Sequence, residues 1–289
     1  MSALEKLQEL IEHHPWRDGA ELTALKQVQR YRQFLELLLA QYADSSREYA
    51  VCSRCFFPDN PTDEWALEDQ KRGDELGHLL ELQIESFYVF AKILLDKLAI
   101  AVERHFGGAR GLSLDSHDKL VKNLDRYAES HHFGVRDSIR QQAQTLKLRV
   151  SDFRDKNIEH SKSPHISAGV GLDENGGITL TTLRKPSEAA GWQVANSSEI
   201  IQLLPQLDSY ILSVMSLLRL LPATVTSVSP LMITADGART ACPANKDTKS
   251  AYALNDRVLV RPHDPYVPFI VGPLKTKSAR VDRHRLSNS

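Results

Sequence analysis

The residues best suited to chemistry in this chain lie in one polar run, "FRDKNIEHSKSP", from Phe153 to Pro164. Arg154 is followed at once by Asp155, and His160 comes six residues after the arginine. Histidine titrates near neutrality, so it can take a proton from a ribose 2′-hydroxyl or return one to a leaving oxygen. Arginine can grip a phosphate through two parallel hydrogen bonds and stabilise the charge that builds on it. Together the two suit metal-free RNA cleavage, in which the 2′-hydroxyl attacks its own phosphate; DNA lacks that hydroxyl and is inert to the attack. Asn157 lies three residues beyond Arg154 and could touch phosphate, and Lys156 and Lys162 could draw RNA in. The same residues also fit a polar helix end. Arg154 and Asp155 would then join exposed ion pairs of small worth, and His160 would meet the last carbonyls and the negative end of the helix dipole.

On an unbroken helix, Arg154 and His160 would stand about 9 Å apart along the axis and about 120° apart around it, so one helix cannot aim both at one atom. Either the helix unwinds before His160, helped by "SKSP", or a two-fold dimer brings two copies of each residue to one cleft.

The elements that must carry this run are mainly helical. Leu4, Leu7 and Ile11 form a short stripe that stops at "HHPW". Leu22, Leu25, Val28, Leu35, Leu38 and Tyr42 predict an amphipathic helix over about 20–43, and "VCSRCFFPDNPTDE" at 51–64 predicts a loop. From Glu75 to Phe106 apolar residues cover most of a helix circumference, with Glu81, Glu85, Lys92, Asp96 and Glu103 as a narrow polar stripe. Such a helix is the central member of a bundle or one that also meets a second subunit. A capped helix follows over about 115–131. Val135, Ile139, Ala143, Leu146, Val150 and Phe153 then form a bundle seam that the Arg154–His160 run closes.

After Pro164 the apolar period changes to two, and with "DENGG" as turn chemistry a β-hairpin is expected near 165–184. A last apolar helix spans about 196–221 and is expected to kink at Pro205. Residues 222–289 read as an irregular, β-poor segment ending in a basic tail: Lys275, Lys277, Arg280, Arg283 and Arg285 against Asp282. Three regions result: an N-terminal helical extension (1–64), a bundle with a hairpin insert (75–221) and the C-terminal segment (222–289).

Arginine, a polar residue, four more residues and histidine, at the end of a helix within an all-α bundle, resembles the RX4-6H motif of the HEPN superfamily. The resemblance covers about half the chain. It implies a four-helix bundle that pairs into a homodimer with facing motifs, and metal-independent endoribonuclease activity of the toxin–antitoxin and antiviral-defence kind, or else a non-catalytic module binding a protein or nucleic acid. It puts Arg154 and His160 in the catalytic positions and Asp155 in the polar position after the arginine. It implies RNA as substrate, no cofactor, no metal, and an antitoxin or other regulatory protein as a further partner. The hairpin, the N-terminal helices and the C-terminal segment depart from a minimal member of that superfamily.

Bulk properties agree with such a reading without requiring it. At 289 residues with 42% hydrophobic content there is material for a substantial core. A formal charge of −1 disfavours a general polyanion binder, so nucleic acid would need a local basic patch. No secretory signal is visible at "MSALEKLQEL", and a cytoplasmic location is expected. Of three cysteines, Cys52 and Cys55 form "CSRC", half of a zinc site at most, so reduced thiols are the expectation. "GGARG" at 107–111 lacks the spacing of a phosphate loop. His13, His14, His131 and His132 read equally as helix-end residues.

Overall fold

The computed structural model describes residues 2–13, 19–53, 64–131, 133–151, 154, 168–172, 178–183, 194–196, 198–219, 221–236, 238–246, 250–261 and 268–273. The chain divides into two units, Met1–Leu218 and Arg219–Ser289. Most of the described chain is helical, as the apolar periodicities predict.

The helical unit contains α1 (Ala3–His13), α2 (Gly19–Ser53), α3 (Glu64–Phe106), α4 (His117–Ser130), α5 (Asp137–Leu146) and α6 (Ser198–Leu218). Its frame is the antiparallel pair α2 and α3, about 50 and 65 Å long at the usual rise per residue. Both run further than the sequence pattern predicts. Beyond Tyr42 the buried stripe of α2 continues through Ser45, Tyr49 and Cys52, in a stretch too polar to register as a helix face. α3 begins at Glu64 instead of near 75, despite Gly73 and Gly77, each of which costs a helix about 1 kcal/mol relative to alanine. Packing on α2 compensates: Arg72 reaches Glu48, Gln83 donates to Ser45 over 3.1 Å, and the Gly77 backbone lies against the Tyr49 ring.

Burial along α3 shows where the bundle thickens. Through Leu76, Leu80, Gln83 and Ile84 only one face is covered; from Phe87 onward adjacent pairs are buried at each turn, at 87–88, 91–92, 94–95, 98–99, 101–102 and 105–106. That half of α3 is the central member of the bundle, surrounded by α2, α4 and α6. Its end is sealed by the stacked rings of Phe106 and Phe133, 4.0 Å apart, with Tyr127 edge-on to both. Among the described helices α6 alone has, in Ile200–Leu218, the length and composition to cross a bilayer. Here it serves the core: Leu203, Leu207, Tyr210, Ile211, Val214 and Leu218 are buried. Pro205 lies inside it, in its first two turns.

Between α5 and α6 the expected hairpin is present as β1 (Ala168–Leu172) and β2 (Ile178–Leu183), paired antiparallel with Val170 opposite Leu180. A third strand, β3 (Val194–Asn196), adds to β2. Three residues are too short a run for the alternation to register.

The C-terminal unit corrects the expectation of an irregular, β-poor segment. Its described residues hold six strands, β4 (Leu221–Val228), β5 (Leu231–Ala235), β6 (Cys242–Pro243), β7 (Asn245–Lys246), β8 (Arg257–Arg261) and β9 (Phe269–Pro273), in the order β6-β5-β4-β8-β9-β7. The two edge strands are separated in the chain by Ala244 alone, so the sheet closes on itself. The Ala244 amide donates to Leu231 of β5, and the next amide, Asn245, donates to Pro268 beside β9. β4 pairs with β8 through Leu221–Thr224 and with β5 through Ala223–Val228, with a bulge between Val225 and Ser227 on the β5 side. The interior is filled by Ala223, Val225, Ile233, Ala244, Val258, Val260 and Ile270, small and β-branched side chains that suit a narrow barrel. Asn255 (φ 71°) makes the turn into β8, and its amide donates to Val225. Prolines and glycine scattered among short strands conceal this barrel from a pattern search, because each strand carries too few alternations.

Candidate functional site

The α-helix that precedes the arginine of the candidate motif is α5. Ile139, Ala143 and Leu146 hold its buried face in the bundle, and from Lys147 to Ser151 the backbone changes to a π-helical turn without leaving the seam, since Val150 stays fully buried. Bonding to the fifth residue instead of the fourth widens the helix, and such turns recur at functional sites. Arg154, half-buried, continues the same backbone conformation. Asp155, Lys156, Asn157, His160 and Lys162 lie outside the described residues. Of the predicted site, the structure therefore positions the arginine.

Side-chain links among the described residues hold this segment against its neighbours. Arg140 donates to Asp125 of α4 over 2.7 Å, Gln142 donates to Ser209 of α6 over 2.9 Å, and Arg149 donates to Gln206 of α6 over 2.7 Å. Another link is ionic. Lys147 stands 3.9 Å from Asp118 at the start of α4, whose other carboxylate oxygen accepts from Lys92 of α3 at 2.7 Å.

Asp118 thus belongs to a network joining α3, α4, α6 and the π-helical turn. Lys92 also donates to Asp96 over 2.9 Å, and the same Asp96 oxygen accepts the backbone amide of His117, as an N-terminal cap supplied by another helix. The His117 ring is fully buried, edge-on to Tyr210 of α6, with Nε2 3.2 Å from the tyrosine oxygen. Burial, reinforced by the positive charge of Lys92, pushes the His117 pKa down to about 3, so the ring is neutral at ordinary pH. Burial pushes the Tyr210 hydroxyl up. Burial opposes the charge on Lys92, but its bonds to Asp118 and Asp96 outweigh this and leave its pKa raised. For Asp118, likewise, burial is outweighed by Lys92 and Lys147, and its pKa is lowered. A neutral histidine and mutually satisfied ions form a positioning device, with no acid–base pair open to a substrate.

Sequence reasoning placed Lys92 and Asp96 on a polar stripe of the long helix. The structure shows that stripe turned inward at this level, with the Lys92 side chain only 6% exposed. The available signal was an i,i+4 pair in the middle of an otherwise apolar helix. Two further pairings, one buried and one part-buried, were not anticipated. Glu21 at the start of α2 meets His105 at the end of α3, both fully buried, and Arg32 of α2 binds both carboxylate oxygens of Asp208 in α6. Glu21, His105 and Arg32 sit at buried positions of their helices, where periodicity leads one to expect an apolar residue.

The remaining candidates sit at a helix end or in the core where the structure describes them. His131 caps α4, its amide donating to Tyr127, and its ring lies among Phe106 and Tyr127. Cys52 is buried in the helical core, whereas Cys55 lies outside the described residues, as do His14 and His132. Gly107 and Gly111 take left-handed conformations in the α3–α4 connection, where "GGARG" forms a turn. No family model matches this chain, and neither a curated protein nor a solved structure matches it.

Proposed function

We propose that this protein is a metal-independent endoribonuclease of the HEPN kind, acting as a homodimer whose two Arg154–His160 motifs face one cleft. His160 takes the proton of a ribose 2′-hydroxyl, O2′ forms a bond to the adjacent phosphorus, and the P–O5′ bond breaks as the leaving oxygen gains a proton. The products carry a 2′,3′-cyclic phosphate and a 5′-hydroxyl. Arg154 holds the phosphate and stabilises its developing charge, with Asp155 and Asn157 supporting and Lys156 and Lys162 contacting the strand. A cytoplasmic defence or toxin role, restrained by an antitoxin-like protein, completes the proposal.

The observation that carries it is the position of Arg154: half-buried, at the π-helical continuation of a bundle helix that α4 and α6 both brace. An arginine with a merely solvated role needs no such bracing. Arg154→Lys keeps the charge but loses the two-point grip, and should lower kcat for RNA cleavage by about 10²-fold or more while RNA binding persists. An unchanged kcat would remove Arg154 from the mechanism.

A second reading is a HEPN-like module that binds without cutting. It is favoured by the formal charge of −1 and by the parts of the chain that a minimal nuclease bundle does not need, the N-terminal helices and the C-terminal barrel. It requires RNA or protein binding with no turnover under any condition that preserves the fold.

A further inference from the structure

A π-helical turn is rare and is found mostly as a single turn within an α-helix, so the one at Lys147–Ser151 has a cause in its surroundings. Along α5 the core takes one residue at each turn, Ile139, Ala143 and then Leu146. In the π-helical turn it takes two in succession, Val150 and Ser151, both fully buried.

The chemistry of Ser151 does not favour this register. In an α-helix a serine can return its hydroxyl to the carbonyl four residues back, which for Ser151 belongs to Lys147. In the π-helical turn the buried hydroxyl has no hydrogen-bond partner among the described residues. Burying a hydroxyl in that condition costs free energy, so contacts outside the turn must hold the register.

Two links are placed to do so. Lys147, which opens the turn, stands 3.9 Å from Asp118 of α4, and Arg149, at its middle, donates to Gln206 of α6 over 2.7 Å. Asp118 is a firm anchor, because its other oxygen accepts from the buried Lys92 of α3 over 2.7 Å. The Lys147 pair is part-exposed and adds little to global stability, so its effect is local. Arg154 follows Ser151 by three residues in the same π-helical conformation. A return to α geometry would rotate every residue after the turn about the helix axis, Arg154 among the first.

We propose that Asp118 and Gln206 are positioning residues: acting on Lys147 and Arg149 from two different helices, they hold the turn in its π register and so fix where the Arg154 guanidinium stands. The consequence for RNA cleavage rests on the catalytic reading, whereas the hold on the turn does not.

Asp118 also neutralises Lys92, so the test leaves it in place and cuts the links from Lys147 and to Gln206 in the full chain. Lys147→Met with Gln206→Leu should speed amide hydrogen exchange over residues 147–154 by about tenfold or more, with exchange in α4 and over residues 139–146 unchanged. The melting temperature should stay close to that of the wild type, because neither link carries the fold. A catalytic group misplaced by about 1 Å costs a rate on the order of 10²-fold, so kcat for RNA cleavage should fall by about that factor while KM holds. Lys147→Arg with Gln206→Glu keeps both links and should keep wild-type exchange and kcat. Lys122→Met, which removes an exposed charge from α4, should change neither. Ser151→Ala removes the unpartnered hydroxyl and should slow exchange over residues 147–154. Unchanged exchange in the Lys147→Met, Gln206→Leu protein, faster exchange with kcat unmoved, a rise in KM with kcat held, or faster exchange in Ser151→Ala would each overturn the proposal. A wild type that cuts no RNA would sink the catalytic reading, and exchange alone would then decide whether Asp118 and Gln206 hold the turn.

Discussion

At the residue scale, His117 has the most marked titration behaviour and a consequence that can be measured. Its neutral ring is enclosed by Tyr210, Lys92, Lys147, Asp96 and Asp118, and burial with the Lys92 charge sets its pKa near 3 in the folded state against an ordinary value of about 6.5. Between those values the unfolded chain binds a proton that the folded chain refuses, so stability rises with pH across that window. The contribution is complete above about pH 6.5 and diminishes progressively as pH falls, at about 1.4 kcal/mol for each unit of pH at most. Asp118, with its pKa lowered, acts in the same direction but only below about pH 4. Melting temperatures of wild type and His117→Gln between about pH 7 and pH 4.5 separate the two effects. The wild type should lose stability across this range more steeply than the variant; parallel curves would contradict the burial of a neutral ring.

At the scale of elements, the helices were legible in the sequence wherever apolar residues recur at three and four, and their ends were legible only where capping marks them. α4, with Ser116 as its cap, begins within two residues of expectation. α2 and α3 overrun expectation because Ser45, Tyr49 and Gly77 pack against each other's helices, and a pairwise fit leaves no periodic trace in either segment alone. The same reason hides the Arg32–Asp208 bridge between α2 and α6. There, breaking one partner differs from removing both: Asp208→Ala leaves a guanidinium on a residue only 6% exposed with Glu36 as its remaining acid, and should cost about 3 kcal/mol. Arg32→Met with Asp208→Leu should recover most of that stability, since no buried charge then remains. Chemical denaturation of both variants checks this; equal destabilisation would show that packing of the stems, and not the charge left behind, sets the cost. For the candidate motif, its six-residue spacing and the seam that delivers it could be read from the sequence. The π-helical turn at Lys147–Ser151 could not, because the run "KLRVS" is as compatible with an ordinary α-helix and the change comes with the links to Asp118 and Gln206.

At the scale of the whole molecule, two units of opposite formal charge share one chain, and a single net charge of −1 masks both. The helical unit was foreseeable because one long apolar stripe dictates a central helix. The barrel was not, because its strands average too few residues to alternate visibly and its closure depends on one shared strand at 242–246. Everything catalytic in the proposed function rests on Arg154 and His160, and the most direct measurement is on the products. Purified protein and His160→Ala would each be incubated with labelled single-stranded RNA in excess chelator, and the fragment ends analysed. The expected result is fragments ending in 2′,3′-cyclic phosphate from the wild type and intact RNA from a variant with unchanged fold and oligomeric state; equal cleavage by both proteins, or fragments with 3′-hydroxyl ends, would contradict the proposed chemistry.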